Sequence, residues 1–175
     1  MMNQNNKKII LALIGPKGSG KTHIGGILER ECGIKFLNVE KMGLQNIPKS
    51  KLSGLELIIE GFHFEEREID RILTTENCLS FESTGAHDYF YVVLDRLRSK
   101  YDVKLVQIFS PLEICYLRIK QRDATQHIPV SDELLKSINE KAAQIELDWD
   151  LSIDNSQLAS RESIVGLVRK LLNSV

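Results

Sequence analysis

Cysteine, proline, tryptophan and excess charge are all scarce in this 175-residue chain. It has three cysteines, four prolines, one tryptophan and a formal net charge of −1. Cys32, Cys78 and Cys115 are odd in number and form no C-x-x-C pair, which excludes a disulfide framework and a thiolate metal site; reduced thiols are expected. The balanced charge, with no long run of one sign, lacks the basic face of a dedicated nucleic-acid binder, so no nucleic-acid polymer is expected as a partner. No apolar run approaches the length of a membrane span, and Met1 to Lys8 is polar, without the apolar centre of a signal peptide. A cytoplasmic protein that makes no use of a membrane is the expectation. The apolar share of 42% and charged share of 27% suit a folded domain large enough to bury a core, and one domain is expected across residues 1–175.

What the chain does have is Gly15-Pro16-Lys17-Gly18-Ser19-Gly20-Lys21-Thr22. This fits the phosphate-binding pattern G-x-x-x-x-G-K-[ST] at every fixed position. An apolar run of buried-strand type, Lys8 to Ile14, precedes it, and a helix is expected from Lys21 to Glu31. Strand, glycine loop and helix together make an anion site. The glycines let successive N–H groups converge, and the helix N-terminus adds unpaired N–H groups and partial positive charge. Lys21 can then reach the β- and γ-phosphates of a nucleotide, and the Thr22 hydroxyl can ligate Mg²⁺. An accidental glycine turn would match the four fixed positions in roughly one chain of this length in two hundred.

Strands and helices alternate through the rest of the chain. Gly25-Gly26 inside the first helix suggests close packing on a sheet, and Gly33 supplies a left-handed cap. A second strand is expected over Ile34–Val39, followed by an irregular insertion with some helix over Met42–Gly54. Leu55–Ile59 is ambiguous, and Phe64–Leu73 reads as helix. A strand over Asn77–Ser83, a helix over Ala86–Tyr101 and a strand over Val103–Phe109 follow. Ser110, Pro111 and Glu113 have the order of a capping box opening a helix to about Asp123. After a break over Ala124–Val130, Ser131 caps a helix to about Asp148. A short strand at Asp150–Asp154 and a helix over Ser160–Leu172 complete the chain. The pattern predicts an α/β three-layer fold, with a parallel sheet of about five strands and helices on both faces. Ligands of such sheets sit beyond the carboxyl ends of the strands, where the glycine loop, Asn38 to Glu40 and Glu82 to Gly85 all fall.

With these features in this order, the chain resembles the small P-loop kinases of the shikimate kinase and nucleoside monophosphate kinase group. The resemblance spans most of the sequence and implies ATP and Mg²⁺ as cofactors. It places an acceptor-binding insertion at about residues 40–75 and a lid at about 118–131. It implies nucleotide contacts from Gly15, Pro16, Lys17, Gly18, Ser19, Gly20, Lys21 and Thr22, and from the turn at Asn155 and Ser156 that borders adenine through its backbone. Catalytic duty falls on Lys21, on Glu40 as the residue orienting or deprotonating an acceptor hydroxyl, and on Arg118 and Arg122. Those two arginines lie four apart on one helix face before the lid. Shikimate kinases carry an acidic pair at the end of strand two, and here its first member is Asn38, a neutral group. The metal set implied is therefore Thr22, Glu82 and Asn38, with Glu82 taking the duty of holding Mg²⁺ through water. Bland readings remain beside each: a solvated basic helix face, an exposed strand-end glutamate, a structural loop histidine at His127 and a core role for Trp149.

The departures bear on the acceptor. Where shikimate kinases hold a carboxylate with arginine, this chain places Glu65 and, near the later position, Glu146, with Arg67 and Arg71 available as stand-ins. The expected activity is transfer of the γ-phosphoryl of ATP to a hydroxyl of a small neutral or cationic molecule other than shikimate. A nucleoside monophosphate kinase is the alternative enzyme, and a regulatory P-loop ATPase the alternative of another class. Monomer and homodimer, and ATP and GTP, remain open.

Overall fold

The computed structural model describes residues 7–46, 52–122 and 130–173. Five parallel strands form one sheet in the order β2-β3-β1-β4-β5. They are β1 (Ile9–Ile14), β2 (Lys35–Leu37), β3 (Cys78–Ser83), β4 (Asp102–Phe109) and β5 (Leu151–Asp154). β1 is the central strand, with Ile9 level with Cys78 of β3 on one side and Asp102 of β4 on the other. Its run Ile10 to Ile14 is buried throughout, as expected of a strand covered on both faces.

Alternation along β1 divides the core in two. Leu11 and Leu13 face α1 (Lys21–Cys32) and α7 (Arg161–Asn173), meeting Ile24, Leu28, Ile164 and Val168. Ile10, Ala12 and Ile14 face the other way, towards α3 (Gly54–Ile72) and α4 (Tyr89–Lys100), where Ile69, Phe90, Leu94 and Leu97 are buried. The expected three-layer α/β fold is the observed one. Gly25 is needed for the first layer, because a Cβ there would lie 2.3 Å from the Phe36 ring of β2. Gly33, in the left-handed region, closes α1 by donating to the Leu28 carbonyl. Among the described residues, no helix is long and apolar enough to cross a membrane.

Several boundaries differ from expectation. β2 stops at Leu37, because the Asn38 side chain accepts from the Lys41 N–H at 2.8 Å and starts α2 (Val39–Asn46). The ambiguous Leu55–Ile59 belongs to the long helix α3. α5 (Leu112–Lys120) opens without a capping box: Pro111 holds the cap position, and the Ser110 hydroxyl accepts from Arg118 instead. α6 (Asp132–Ala143) does carry the expected Ser131 cap, bonded to the Leu134 N–H, and ends earlier than Asp148. Half of the lid expected at 118–131, residues 123–129 with His127, lies outside the described residues, as does Pro48.

Candidate active site

The loop Gly15 to Gly20 joins the carboxyl end of β1 to α1, so its N–H groups gather at the positive end of that helix. Gly18 and Gly20 have φ of 88° and 102°, the left-handed region that side chains disfavour. Contacts forbid a side chain as well. A Cβ at Gly18 would sit 2.4 Å from the Cys115 carbonyl, and one at Gly20 would sit 2.2 Å from the Asn155 amide nitrogen.

Lys21 is 7% exposed and folds back over the loop, donating to the Gly15 and Pro16 carbonyls at 2.7 and 2.8 Å. Burial pulls its pKa down to about 8; Glu82 opposes that fall and Lys17 adds to it. A phosphate in the loop would favour the charged form, so the lysine is poised for an anion. Thr22, next in the chain, donates its hydroxyl to Glu82 at 2.7 Å. In β3, Leu79 and Phe81 face the α3 layer, which leaves Glu82 on the α1 side beside Lys21 and Thr22. Burial raises the Glu82 pKa, while Lys21 and Thr22 hold it down. Its Oε1 makes no hydrogen bond among the described residues, although the Glu40 N–H faces the carboxylate. A buried carboxylate oxygen without a donor, beside a threonine hydroxyl, is suited to water on a hard cation.

The other expected residues are arranged differently from a strand-end pair. Glu40 lies in the first turn of α2, and its carboxylate pairs with Lys17 Nζ at 2.9 Å. Asn38 spends its side-chain oxygen on the helix cap. Arg118 faces inward, donating to the Asn155 and Ser156 carbonyls at 2.7 and 3.1 Å and to the Ser110 hydroxyl at 3.3 Å. The Arg122 side chain makes no hydrogen bond or ion pair among the described residues. Both line an open groove of about 530 Å³ with Gly20, His23, Asn155 and Leu158. The groove lies beside the glycine loop on its α5 and β5 side.

Sequence reasoning missed two residues here. Asn155, assigned a backbone role, uses its side chain: the amide donates to the Ser19 carbonyl at 2.7 Å and accepts from the Ala159 N–H at 2.9 Å. Asn139 of α6, fully buried, accepts from the Lys17 N–H at 2.8 Å and donates to the Lys17 carbonyl at 3.0 Å. Neither role shows in the sequence, because the burial that forces each amide to satisfy a donor and an acceptor is set by the fold.

On the α3 side, Glu65 is buried near Glu82, and its pKa is pushed up to about 8 by burial, then by Glu82 and Glu66. Arg67 and Arg71 do not reach the site. They are exposed and paired with Glu60 at 2.7 Å and Glu68 at 2.8 Å. Glu146 is exposed too, and its neighbour Ile145 is the residue that approaches Gly85 in the turn after β3. Trp149 packs against the α3-side core.

No protein-family model and no curated protein matches the chain. Solved structures do. A sugar kinase from Janibacter sp. HTCC2649 superposes with a TM-score of 0.66 at 16% identity over 95% of both chains. Shikimate kinase from Aquifex aeolicus gives 0.58 at 19% identity, over 94% of this chain and 97% of that one. APS kinase from Mycobacterium tuberculosis, in complex with AMPPNP and APS, gives 0.66 at 16% identity, over 95% and 98%. The chain has the small P-loop kinase fold. In that fold the layer order, the central β1 and the loop-to-helix junction described above set the site at the carboxyl edge of the sheet. At these identities the likeness fixes architecture and leaves the substrate to the side chains.

Proposed function

We propose that the protein transfers the γ-phosphoryl group of ATP, with Mg²⁺, to a hydroxyl of a small neutral or cationic molecule. The observation that carries this reading is the cluster of buried Lys21 and Glu82 with half-buried Thr22 at the mouth of the glycine loop, one glutamate oxygen being unpartnered. Residues present fit both groups: the loop N–H groups and Lys21 for the phosphates, Thr22 and Glu82 for the cation and its water. Bound as its magnesium salt, ATP supplies the phosphoryl group, whose phosphorus gains the acceptor oxygen as the bond to the β,γ-bridging oxygen breaks and ADP leaves with that electron pair.

The chain's own residues do the rest. Lys21, which rests on the Gly15 and Pro16 carbonyls, would supply positive charge to the β- and γ-phosphates of a bound nucleotide. Arg118 holds the Ser19 and Asn155 backbone in place and is a positioning residue; Arg122 is the side chain free to close on phosphate. Asn155 locks the loop to the nucleoside-side turn. Glu40, paired with Lys17, orients the acceptor side through α2, and the acceptor hydroxyl proton leaves to a carboxylate there or to water.

The acceptor is read from charge. Glu65, buried and with its pKa pushed up to about 8, mostly holds its proton at neutral pH. It offers a ligand carboxylate no positive charge to pair with, and Glu82 and Glu66 nearby add none. The arginines of α3 are turned away, which also disfavours a nucleoside monophosphate as acceptor. The test is ADP release with ATP and Mg²⁺ over sugars, nucleosides, amino alcohols, shikimate and nucleoside monophosphates. A neutral or cationic hydroxyl compound is expected to raise the rate, and millimolar shikimate is not. Efficient shikimate turnover would refute the acceptor class, and release unaffected by any acceptor would favour a regulatory ATPase.

A further inference from the structure

α3 turns one acidic residue into the protein. Its buried stripe is Glu65, Ile69 and Ile72, spaced so that all three share a face. Ile69 and Ile72 join the core, and just beyond them the Leu73 carbonyl accepts from Lys8 at the foot of β1. Glu65 therefore lies about two turns further towards the carboxyl edge of the sheet, where Glu82 is.

The surroundings of Glu65 are one-sided. It is 4% exposed, and no described residue donates a hydrogen bond to it or pairs with it. The charges acting on it are Glu82 and Glu66, both negative. Glu66, the next residue, is neutralised by Arg96 at 2.7 Å, and Glu82 has Thr22 and Lys21. Glu65 alone is left without a donor. Phe62, one turn earlier on the same side of α3, lies beside the rings of His87 and Tyr89 at 5.8 and 5.7 Å, in the segment following β3. A buried carboxyl with an aromatic cluster one turn away is a setting for a cation, since both the acid and the ring faces attract positive charge. A metal ion is a poor occupant: among the described residues no group of three or more histidine, cysteine or acidic side chains is placed to hold one. Against a neutral hydroxyl the buried carboxyl would simply keep its proton; to ionise there it needs both a donor and a compensating positive charge. An ammonium supplies both.

We propose that Glu65 is the specificity residue of the acceptor site, and that the acceptor carries an ammonium group near the hydroxyl that is phosphorylated, as in amino sugars and amino alcohols. This rests on the kinase reading above. The test uses the full chain loaded with AMPPNP and Mg²⁺. Calorimetry compares glucosamine with glucose, galactosamine with galactose, and ethanolamine with ethylene glycol, and ADP release with ATP compares the same pairs. At least one amine is expected to bind at least about tenfold more tightly than its hydroxyl counterpart. Glu65→Gln is expected to erase that preference by raising the Michaelis constant for the amine, while AMPPNP affinity is unchanged. Glu65→Asp, keeping the charge, should retain part of it, and the melting temperatures of both variants show that they fold. No amine preference in the parent, or one that survives Glu65→Gln in a folded protein, overturns the proposal. Failure of AMPPNP to bind the parent would instead refute the kinase reading itself.

Discussion

The two sides of the cleft differ in how completely they are satisfied. On the nucleotide side, Lys21, Asn155 and Asn139 each meet backbone partners, and Arg118 is spent on carbonyls. On the acceptor side, Glu65 has no donor among the described residues, while at the loop itself Ser19 Oγ and one oxygen of Glu82 are the buried atoms left without one. A satisfied site is built before its ligand arrives; an unsatisfied one keeps room for something the protein does not supply. The contrast assigns phosphate binding to preorganised backbone and acceptor choice to a few carboxyl groups.

The largest effect should come from removing the charge at the centre of the nucleotide side. Lys21→Ala is expected to lower kcat/KM by about 4 kcal/mol, roughly a thousandfold, with the melting temperature little changed. Steady-state ADP release with the best acceptor measures it, and a variant within a few-fold of the parent would show that preorganisation does not act through Lys21.

The next break is steric. Gly20→Ala puts a Cβ on the Asn155 amide at a φ of 102° and should destabilise the fold by about 3 kcal/mol in urea denaturation. Gly26→Ala, in the same α1 but with only the Arg30 side chain nearby, should be close to neutral. Equal losses at the two positions would mean that Asn155 is not holding the loop.

On the acceptor side the expected sign reverses, and removing a buried titratable group stabilises. Glu65 has a folded pKa of about 8 against 4.5 unfolded. Between those values the folded state keeps a proton that the unfolded state has lost, so the parent loses stability as pH rises from about 4.5 to about 8 and levels off above. Glu65→Gln removes this dependence. From pH 5.5 to 7.5 the variant should gain up to about 2.5 kcal/mol on the parent. A constant difference across that range would mean that Glu65 is ionised and has found a partner.

The smallest effect separates the two metal-side groups. Glu82→Gln should raise the Mg²⁺ concentration needed for half-maximal rate about tenfold. Asn38→Ala should leave it unchanged and lower stability by about 1 kcal/mol through loss of the α2 cap. The opposite order would return the metal role to the end of β2.

Where chemistry depends on neighbours in sequence, it could be read from sequence. The glycine loop, Lys21 and Thr22 are one octapeptide, and the strand before and helix after it follow from local periodicity. The parallel sheet of about five strands and the three layers follow from alternation, while the order β2-β3-β1-β4-β5 required the structure. Asn155 and Asn139 were not legible as loop clamps, because they reach Ser19 and Lys17 across 136 and 122 residues. Asn38 was read as a strand end because Ile34 to Val39 is apolar in pattern, yet its side-chain bond to Lys41 won over strand propensity. Ser110 had the order of a cap, and the pull of Arg118 on its hydroxyl decided otherwise. Glu65 was visible as a charge in the wrong place for a carboxylate ligand; that it is buried and Glu146 exposed required the fold.

The central place of β1 also sets the order of assembly during synthesis. It leaves the ribosome before either strand that pairs with it: β3 begins at Cys78 and β4 at Asp102. Until both have emerged, Ile9 to Ile14, the most completely buried strand of the finished sheet, has at least one open edge. An apolar strand waiting unpaired is the kind of segment on which chaperones act and from which aggregates grow. The glycine loop cannot take its final shape in that interval either, since the Asn155 amide that fixes it belongs to the last strand crossing of the sheet. Nucleotide binding is therefore a late event in the life of a nascent chain, and marks a completed sheet.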